Sequence, residues 1–501
     1  MGETNRAAAH INSLVSPEAL EKLLRDLPRN GQRIKDRGYR QVWRFEFEGN
    51  AYYLKFYPRR GLRLKRFFRG SPAMREFLRL QALQRAQVPA PRAVAQLSGF
   101  KLLDETGDAV ILEAIEPAVA LDQYINQAAL CGEEIPDRRR LAQELIGLVH
   151  RLGSAGLGHD DLHLGNLLLR EGKIYLLDGY AVRMGGLKMD DLFKLAHSAQ
   201  GTATRMELQR GWTVLGPGGY MPAQNPVSAR LWKKFSRQTR GNNEYFGHLN
   251  FGDWKGIFFR KFKYPRRWAP ASTLMISAED WQRQWPVLLE TIQRDQLEVI
   301  KRGASGDVLG GEIEVGGRSV PIIVKRSFKR YWYRYFNEIG RGSRAWRAWN
   351  KAWALIARDI PTAWPLAVIQ KRTFGYITDS AIIFERVPGE TLASVNLDAM
   401  PSGDREMLFR RTGKILRRID QLGMGHFDAK ASNWIVQPDE KLGPRPILVD
   451  VDGIRFRRWA ALGISRLLRA MRDHPQYTGP DSLALCQGYA PFSPIPAEEP
   501  A

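Results

Sequence analysis

The chain has 501 residues, 44% of them hydrophobic and 26% charged, with a formal net charge of +23 at pH 7. That composition excludes a mostly disordered chain, and the length suggests two to four domains. No run of about 18 apolar residues occurs, so no membrane-spanning helix is expected. The start, MGETNRAAAHINSLV, lacks the apolar core of a secretory signal, and Arg6 stands where a myristoylation motif needs Ser or Thr. Two cysteines, Cys131 and Cys486, can build neither a disulfide framework nor a four-thiolate zinc site, which points to a reducing compartment. The charge excess calls for an anionic partner: nucleic acid, an anionic membrane surface or a phosphorylated substrate.

In chain order, QVWRFEF (41–47) and AYYLKFY (51–57) are β-branched and aromatic runs that predict strands. MREFLRLQALQRA (74–86) predicts a helix, and ILEAIEP around Glu113 a further strand. RRLAQELIGLVHRLG (139–153) has helical periodicity and leads into the loop GHDDLHLGNLLL. A short hairpin follows, turning at Glu171-Gly172 and ending in YLLDG. The Pro- and Ser-rich stretch 264–276 predicts a boundary, after which Ser277 and Asp280 have capping-box spacing for a helix. The pattern then repeats. Strands are predicted at GEIEV (311–315) and VPIIVK (320–325), and helices at 343–358 and 405–423. The loop GHFDAKASNWIV and a longer hairpin ending at Asp450 complete the second copy.

His159, Asp161 and Asn166 recur as His426, Asp428 and Asn433 at an offset of 267. Lys55 recurs as Lys325 at 270; Glu113 and Asp178 recur as Glu385 and Asp450 at 272. Landmarks in one order at a near-constant offset imply two copies of one domain, residues 1–270 and 271–501.

The paired residues are those that phosphoryl transfer from ATP demands. A lysine must reach the phosphates, an acid usually holds that lysine, and Mg²⁺ needs hard oxygen ligands. The acceptor hydroxyl needs a group that can take its proton. The first copy offers Lys55, Glu76, Asp161, Asn166 and Asp178; the second offers Lys325, Asp428, Asn433 and Asp450. The five-residue step from Asp161 to Asn166, and from Asp428 to Asn433, matches the catalytic-loop signature of protein kinases. Gly303 and Gly306 fit a reduced glycine-rich loop in the second copy, whereas the first has only Gly38-Tyr-Arg-Gln-Val42 there.

These motifs, GHDDLHLGNLLL…LLDG and GHFDAKASNWIV…LVDVDG, resemble the Kdo/WaaP-type lipopolysaccharide kinase family of bacteria. The resemblance covers most of both halves. It implies an α+β fold of two tandem protein-kinase-like domains, each with a β-rich N-lobe and a mainly helical C-lobe. It also implies ATP and Mg²⁺ as cofactors. The acceptor would be an inner-core sugar hydroxyl, Kdo or heptose, of lipopolysaccharide or a related glycolipid, at the cytoplasmic face of the inner membrane. Carried over, Asp161 and Asp428 would be catalytic bases, and Asn166, Asp178, Asn433 and Asp450 metal ligands. Lys55 and Lys325 would contact phosphate, with Glu76 as partner of Lys55.

The copies differ. Ala348 aligns with Glu76, so Lys325 has no evident acid, although Glu338 is near in sequence. His163 follows the catalytic-position Asp in the first copy and Lys430 in the second. This motivates an alternative: a membrane-associated pseudokinase scaffold with one or no active site. His159 and His426 read as braces of the loop backbone, while His163 is open between substrate contact and loop packing. Asp190 and Asp191 read equally as a helix start.

Basic, aromatic segments suit peripheral contact with an anionic membrane surface: 59–69 holds six basic residues, and 325–351 nine against one acid. RFRRWAALGISRLLRAMR (455–472) is amphipathic; its apolar face reads as membrane contact or as ordinary core. No nucleic-acid motif accompanies the charge, so no nucleic-acid partner is expected.

Overall fold

The computed structural model describes residues 9–11, 27, 29–59, 70–130, 135–199, 203, 205–215, 235–261, 276–293, 297–303, 306–327, 342–373, 376–440, 442–456 and 462–490. The chain divides into two compact units, 1–221 and 222–501.

In the first unit β1 (Ala9–Ile11), β2 (Gln32–Arg37), β3 (Arg40–Phe47), β4 (Asn50–Pro58), β5 (Ala93–Leu102) and β6 (Glu105–Glu113) form one antiparallel sheet in the order β1-β5-β6-β4-β3-β2. Helix α1 (Pro72–Arg85) packs on β5 and β6. It starts where the Ser71 hydroxyl accepts the Met74 N–H, with Pro72 at the first helical position, where no N–H is needed. Phe77, Leu80 and Leu83 bury its core face. Glu76 lies on that same buried face, so its carboxylate must find partners inside the protein.

The chain then turns helical: α2 (Leu121–Leu130), α3 (Arg138–Ser154), α4 (Met189–Ala199) and α5 (Arg205–Leu215), after the short β7 (Val119–Ala120). Between α3 and α4 run β8 (Leu157–His159), β9 (Leu167–Arg170), β10 (Lys173–Leu176) and β11 (Val182–Met184). The β9–β10 turn places Glu171 and Gly172 both at positive φ, 50° and 75°, as a two-residue hairpin requires.

The second unit has a seven-stranded sheet. Its strands are β12 (Phe246–Phe251), β13 (Trp254–Phe259), β14 (Glu298–Lys301), β15 (Gly306–Val315), β16 (Arg318–Ser327), β17 (Pro365–Thr373) and β18 (Tyr376–Glu385). They lie in the order β12-β13-β17-β18-β16-β15-β14. The run β14-β15-β16-β18-β17 repeats the connectivity of β2-β3-β4-β6-β5. Helix α6 (Ala278–Gln293) begins as expected, with the Asp280 N–H 3.0 Å from the Ser277 hydroxyl. Helix α7 (Arg344–Ala357) precedes β17, as α1 precedes β5. The remainder holds β19 (Glu390–Thr391), α8 (Ser402–Gln421), β20 (Met424–His426), β21 (Trp434–Gln437), β22 (Arg445–Leu448), β23 (Ile454–Phe456), α9 (Leu462–Arg472) and α10 (Gly479–Tyr489).

The expected boundary near residue 270 is corrected to 221/222. The hairpin β12–β13 belongs to the second unit because β13 pairs with β17, Ile257 opposite Val368. Phe246 and Phe259 also pack on Trp353 of α7, at ring distances of 5.0 and 5.7 Å. In α9 Leu467 and Met471 are fully buried in the core of the second unit, so these two side chains are ordinary core. Most of the other basic aromatic runs (60–69, 262–270, 328–341, 457–461), with Glu338 and Trp459, lie outside the described residues. No helix among the described residues is long and apolar enough to cross a membrane.

Candidate functional site

A cleft of about 870 Å³ opens in the first unit, lined by Lys35, Arg40, Val42 and Lys55 of the sheet, Glu76 of α1, and Asn166, Leu168 and Asp178 beyond. Lys55 and Asn166, 111 positions apart in the chain, thus line one cleft, although Asp161 is not among its lining residues. The Lys55 ammonium lies 2.5 Å from a Glu76 oxygen, and the Tyr57 hydroxyl donates to the other at 2.5 Å. Glu76 is fully buried, so these two donors are what satisfy it. Burial, then the Glu76 charge, push the Tyr57 pKa above its ordinary value, which keeps the hydroxyl protonated as a donor.

The loop after β8 is braced from within. His159 accepts the Asp161 N–H on Nδ1 (3.3 Å) and donates from Nε2 to the Leu177 carbonyl (3.1 Å). This is the bracing role expected from sequence, and burial lowers the His159 pKa, which suits a neutral ring. Asn166 donates from Nδ2 to the Asp161 carbonyl (2.8 Å), and its Oδ1 is an acceptor. The Leu177 N–H reaches back to the Asn166 carbonyl at 2.8 Å and so ties Asp178 to the same loop. Of the two alternatives for His163, loop packing is seen: Nδ1 accepts the Gly165 N–H (3.1 Å), and Nε2 lies 3.4 Å from the Asp161 carboxylate. Asp191 is structural; it is buried, holds Arg183 at 2.7 Å and accepts the Lys188 N–H.

Two residues of this site escaped the sequence reading. Arg40 lines the cleft and sits 3.3 Å from Asp178. Burial opposes its charge, but Tyr57 and Asp178 outweigh burial and hold its pKa up. Gly179 faces α1: a Cβ there would meet the Leu80 side chain at 2.5 Å. The glycine lets the Asp178 loop lie against the helix that carries Glu76.

The second unit repeats the loop. The Asp428 N–H is accepted by His426 Nδ1 (3.2 Å), and Asn433 Nδ2 donates to the Asp428 carbonyl (2.7 Å). The Val449 N–H bonds the Asn433 carbonyl at 3.0 Å, as Leu177 does to Asn166. Lys430 lies 3.1 Å from the Asp428 carboxylate, the place His163 takes beside Asp161.

Around Lys325 the two sites differ. Its cleft is only about 120 Å³ and includes Gly306, Ala348 and Asp450 but neither Gly303 nor Asn433. Ala348 lines it at the place of Glu76. With no acid on α7 there, the Lys325 ammonium bonds the Val449 carbonyl (2.9 Å) and lies 3.5 Å from Asp450. Burial would raise the Asp450 pKa, yet Lys325, the Asp452 N–H and Arg344 hold it below the usual carboxylate range. Val449 corresponds to Leu177, so Lys325 occupies the carbonyl type that His159 uses in the first unit. His426 Nε2 is correspondingly buried with no hydrogen-bond partner among the described residues. Burial pushes the His426 pKa down to about 4.

The sheet register aligns the glycine loops independently of sequence. Val42 pairs with Lys55, and Val308 pairs with Lys325. Two residues earlier, Arg40 stands where the second unit has Gly306. A Cβ at Gly306 would strike the Arg326 carbonyl, so that position requires glycine.

Among the described residues no group of three or more His, Cys, Asp or Glu could hold a metal alone. Mg²⁺ usually takes one or two side chains, with phosphate and water completing its shell. Asn166 and Asp178, hard oxygen donors lining one cleft with Lys55, fit that demand.

A mixed sheet-and-helix unit with a held lysine, an Asn and an Asp in one cleft, and a second Asp bonded to that Asn, has the make-up of a kinase-like phosphotransferase. Residues 30–180, within the first unit, match the model of the lipopolysaccharide kinase (Kdo/WaaP) family. The solved structure of WaaP in complex with acyl carrier protein is similar at 18% identity and a TM-score of 0.32, over 42% of this chain and 88% of that chain. No curated protein matches the chain.

Proposed function

We propose that the chain is an ATP- and Mg²⁺-dependent kinase of two tandem kinase-like units. Its acceptor is a hydroxyl of a lipopolysaccharide inner-core sugar, Kdo or heptose, or of a related glycolipid at the cytoplasmic face of the inner membrane. The observation that carries this is the buried Lys55–Glu76 pair in the same cleft as Asn166 and Asp178. Bound Mg-ATP supplies the phosphoryl group and neutralises its charge. Glu76 keeps Lys55 aimed into the cleft. Asn166 and Asp178 offer the oxygens that would hold the metal. Asp161, fixed through its own carbonyl and N–H, orients the acceptor hydroxyl and takes its proton on a carboxylate oxygen. Asp428, Asn433, Asp450, Lys325, Gly303 and Gly306 would take the matching roles in the second unit. The excess of basic residues favours peripheral contact with anionic lipid.

One observation favours a second reading for the second unit, a scaffold with no activity. Ala348 leaves Lys325 without an acid on α7, and Lys325 rests on the Val449 carbonyl and Asp450 instead. Both readings are tested with radiolabelled ATP and purified core-oligosaccharide lipid, comparing D161N and D428N in the full chain. Loss of transfer in D161N alone supports one active unit, and partial loss in each supports two. Unchanged transfer in the double variant refutes the roles given to both aspartates.

A further inference from the structure

We propose that Arg40 is a phosphate-binding residue of the first site. It does with a guanidinium what a glycine-rich loop does with backbone N–H groups, and it is held on Asp178 until a polyphosphate ligand takes it. This rests on the reading of the first unit as a nucleotide site and deepens it.

The two units supply the comparison. Each places one aspartate, Asp178 or Asp450, at the end of the hairpin that follows the Asp–Asn loop. Among the described residues each aspartate has a cation within 3.5 Å, but not the equivalent one. In the second unit it is Lys325, at 3.5 Å. In the first unit Lys55 is bound to Glu76, and Arg40 takes its place beside Asp178 at 3.3 Å. The two changes belong together. The first unit has Glu76 and Arg40 where the second has Ala348 and Gly306. Adding the acid removes the lysine from the aspartate, and adding the arginine restores a cation to it.

The position of Arg40 fits a phosphate contact. It is the first residue of β3, directly after the Gly38-Tyr39 turn, on the sheet side of the cleft. In the second unit the same register position is Gly306, which lines the Lys325 cleft and where a Cβ would strike the Arg326 carbonyl of the paired strand. In the first unit that position carries a side chain, Arg40, whose planar fork of N–H donors lines the cleft. Among the other acids of the cleft, Glu76 is held by Lys55 and Tyr57, Glu116 by Arg44 and Tyr53, and Glu113 lies 3.9 Å from Arg92. Arg40 is therefore committed to the one carboxylate that would otherwise bind metal. A metal at Asp178 would release the guanidinium at the moment a triphosphate needs a counter-charge.

The test is calorimetric titration of ATP, and separately of adenosine, into the full chain carrying K325M, so that the second site contributes least. R40M should weaken ATP binding at least tenfold and adenosine binding less than twofold. R40K, which keeps the charge without the fork, should fall between R40M and the parent for ATP. K55M separates the possible failures. If ATP binding depends on Lys55 but is the same in R40M, the role of Arg40 is overturned while the site stands. If the parent binds no ATP, or binds it independently of Lys55, the reading of the first unit fails and this inference with it. Thermal unfolding of R40M within a few degrees of the parent identifies a loss of affinity as local; if R40M is unfolded, R40K decides, and parent-like affinity of R40Q for ATP overturns the proposal.

Discussion

Replacing Glu76 by alanine gives the first unit the second unit's arrangement at one position. In the first unit the Lys55 side chain is 15% exposed and Glu76 is 0% exposed, with 2.5 Å between ammonium and carboxylate. Removing one member of such a buried pair costs roughly 3–5 kcal/mol, because the other charge stays desolvated. The second unit shows what offsets part of this. Lys325, with no acid on α7 beside it, lies against Asp450. If Lys55 turns to Asp178 in the same way, it regains about 1 kcal/mol, the worth of a partly exposed pair. The net loss is then about 2–4 kcal/mol, a fall of roughly 30- to 900-fold in the opening equilibrium at about 1.36 kcal/mol per decade. Hydrogen exchange read by mass spectrometry on peptides spanning β4 and α1 of the full chain reports this directly. E76Q, which keeps an acceptor for the Tyr57 hydroxyl, should lose less than E76A. Protection in E76A within threefold of the parent would refute a stabilising role of this pair in the first unit.

Two further outcomes are expected. Leu80 packs on Gly179, whereas the corresponding residues of the second unit, Ala352 and Val451, are both buried in one core. G179V alone should destabilise the first unit by about 1–3 kcal/mol through overpacking, and L80A should recover part of that in the double variant. A denaturation cycle that shows simple additivity would contradict the size exchange. The His426 pKa lies near 4, below its unfolded value of about 6.5, so the unfolded chain binds more protons between those limits. Stability should therefore be fully present above pH 6.5 and decline as pH falls toward 4, by about 3 kcal/mol. Denaturant titrations between pH 7.5 and 4.5 should show a shallower decline in H426N, and an unchanged slope would remove His426 as its source.

Much of the site was legible along the chain because its spacing is local. The tight Glu171-Gly172 turn and the Ser277–Asp280 cap each depend on a handful of neighbouring residues and form as expected, and the five-residue Asp–Asn step closes the same hydrogen bond in both units. The pairing of Lys55 with Glu76 was also within reach, since a strand followed by an amphipathic helix with one acid on its buried face leaves few partners for that acid.

What the sequence by itself determined was which residues recur at a near-constant offset and the order in which the chain presents them twice. Tertiary structure alone decided which cation meets which anion. Arg40 reaches Asp178 across 138 residues, and Lys325 bonds the Val449 carbonyl across 124. It also assigned the hairpin 246–259 to the second unit, through pairing with a strand more than 100 residues later. The reason is physical: strand register and charge partnering are settled by long-range hydrogen bonds and by burial. Neither leaves a periodic trace in the segments that take part.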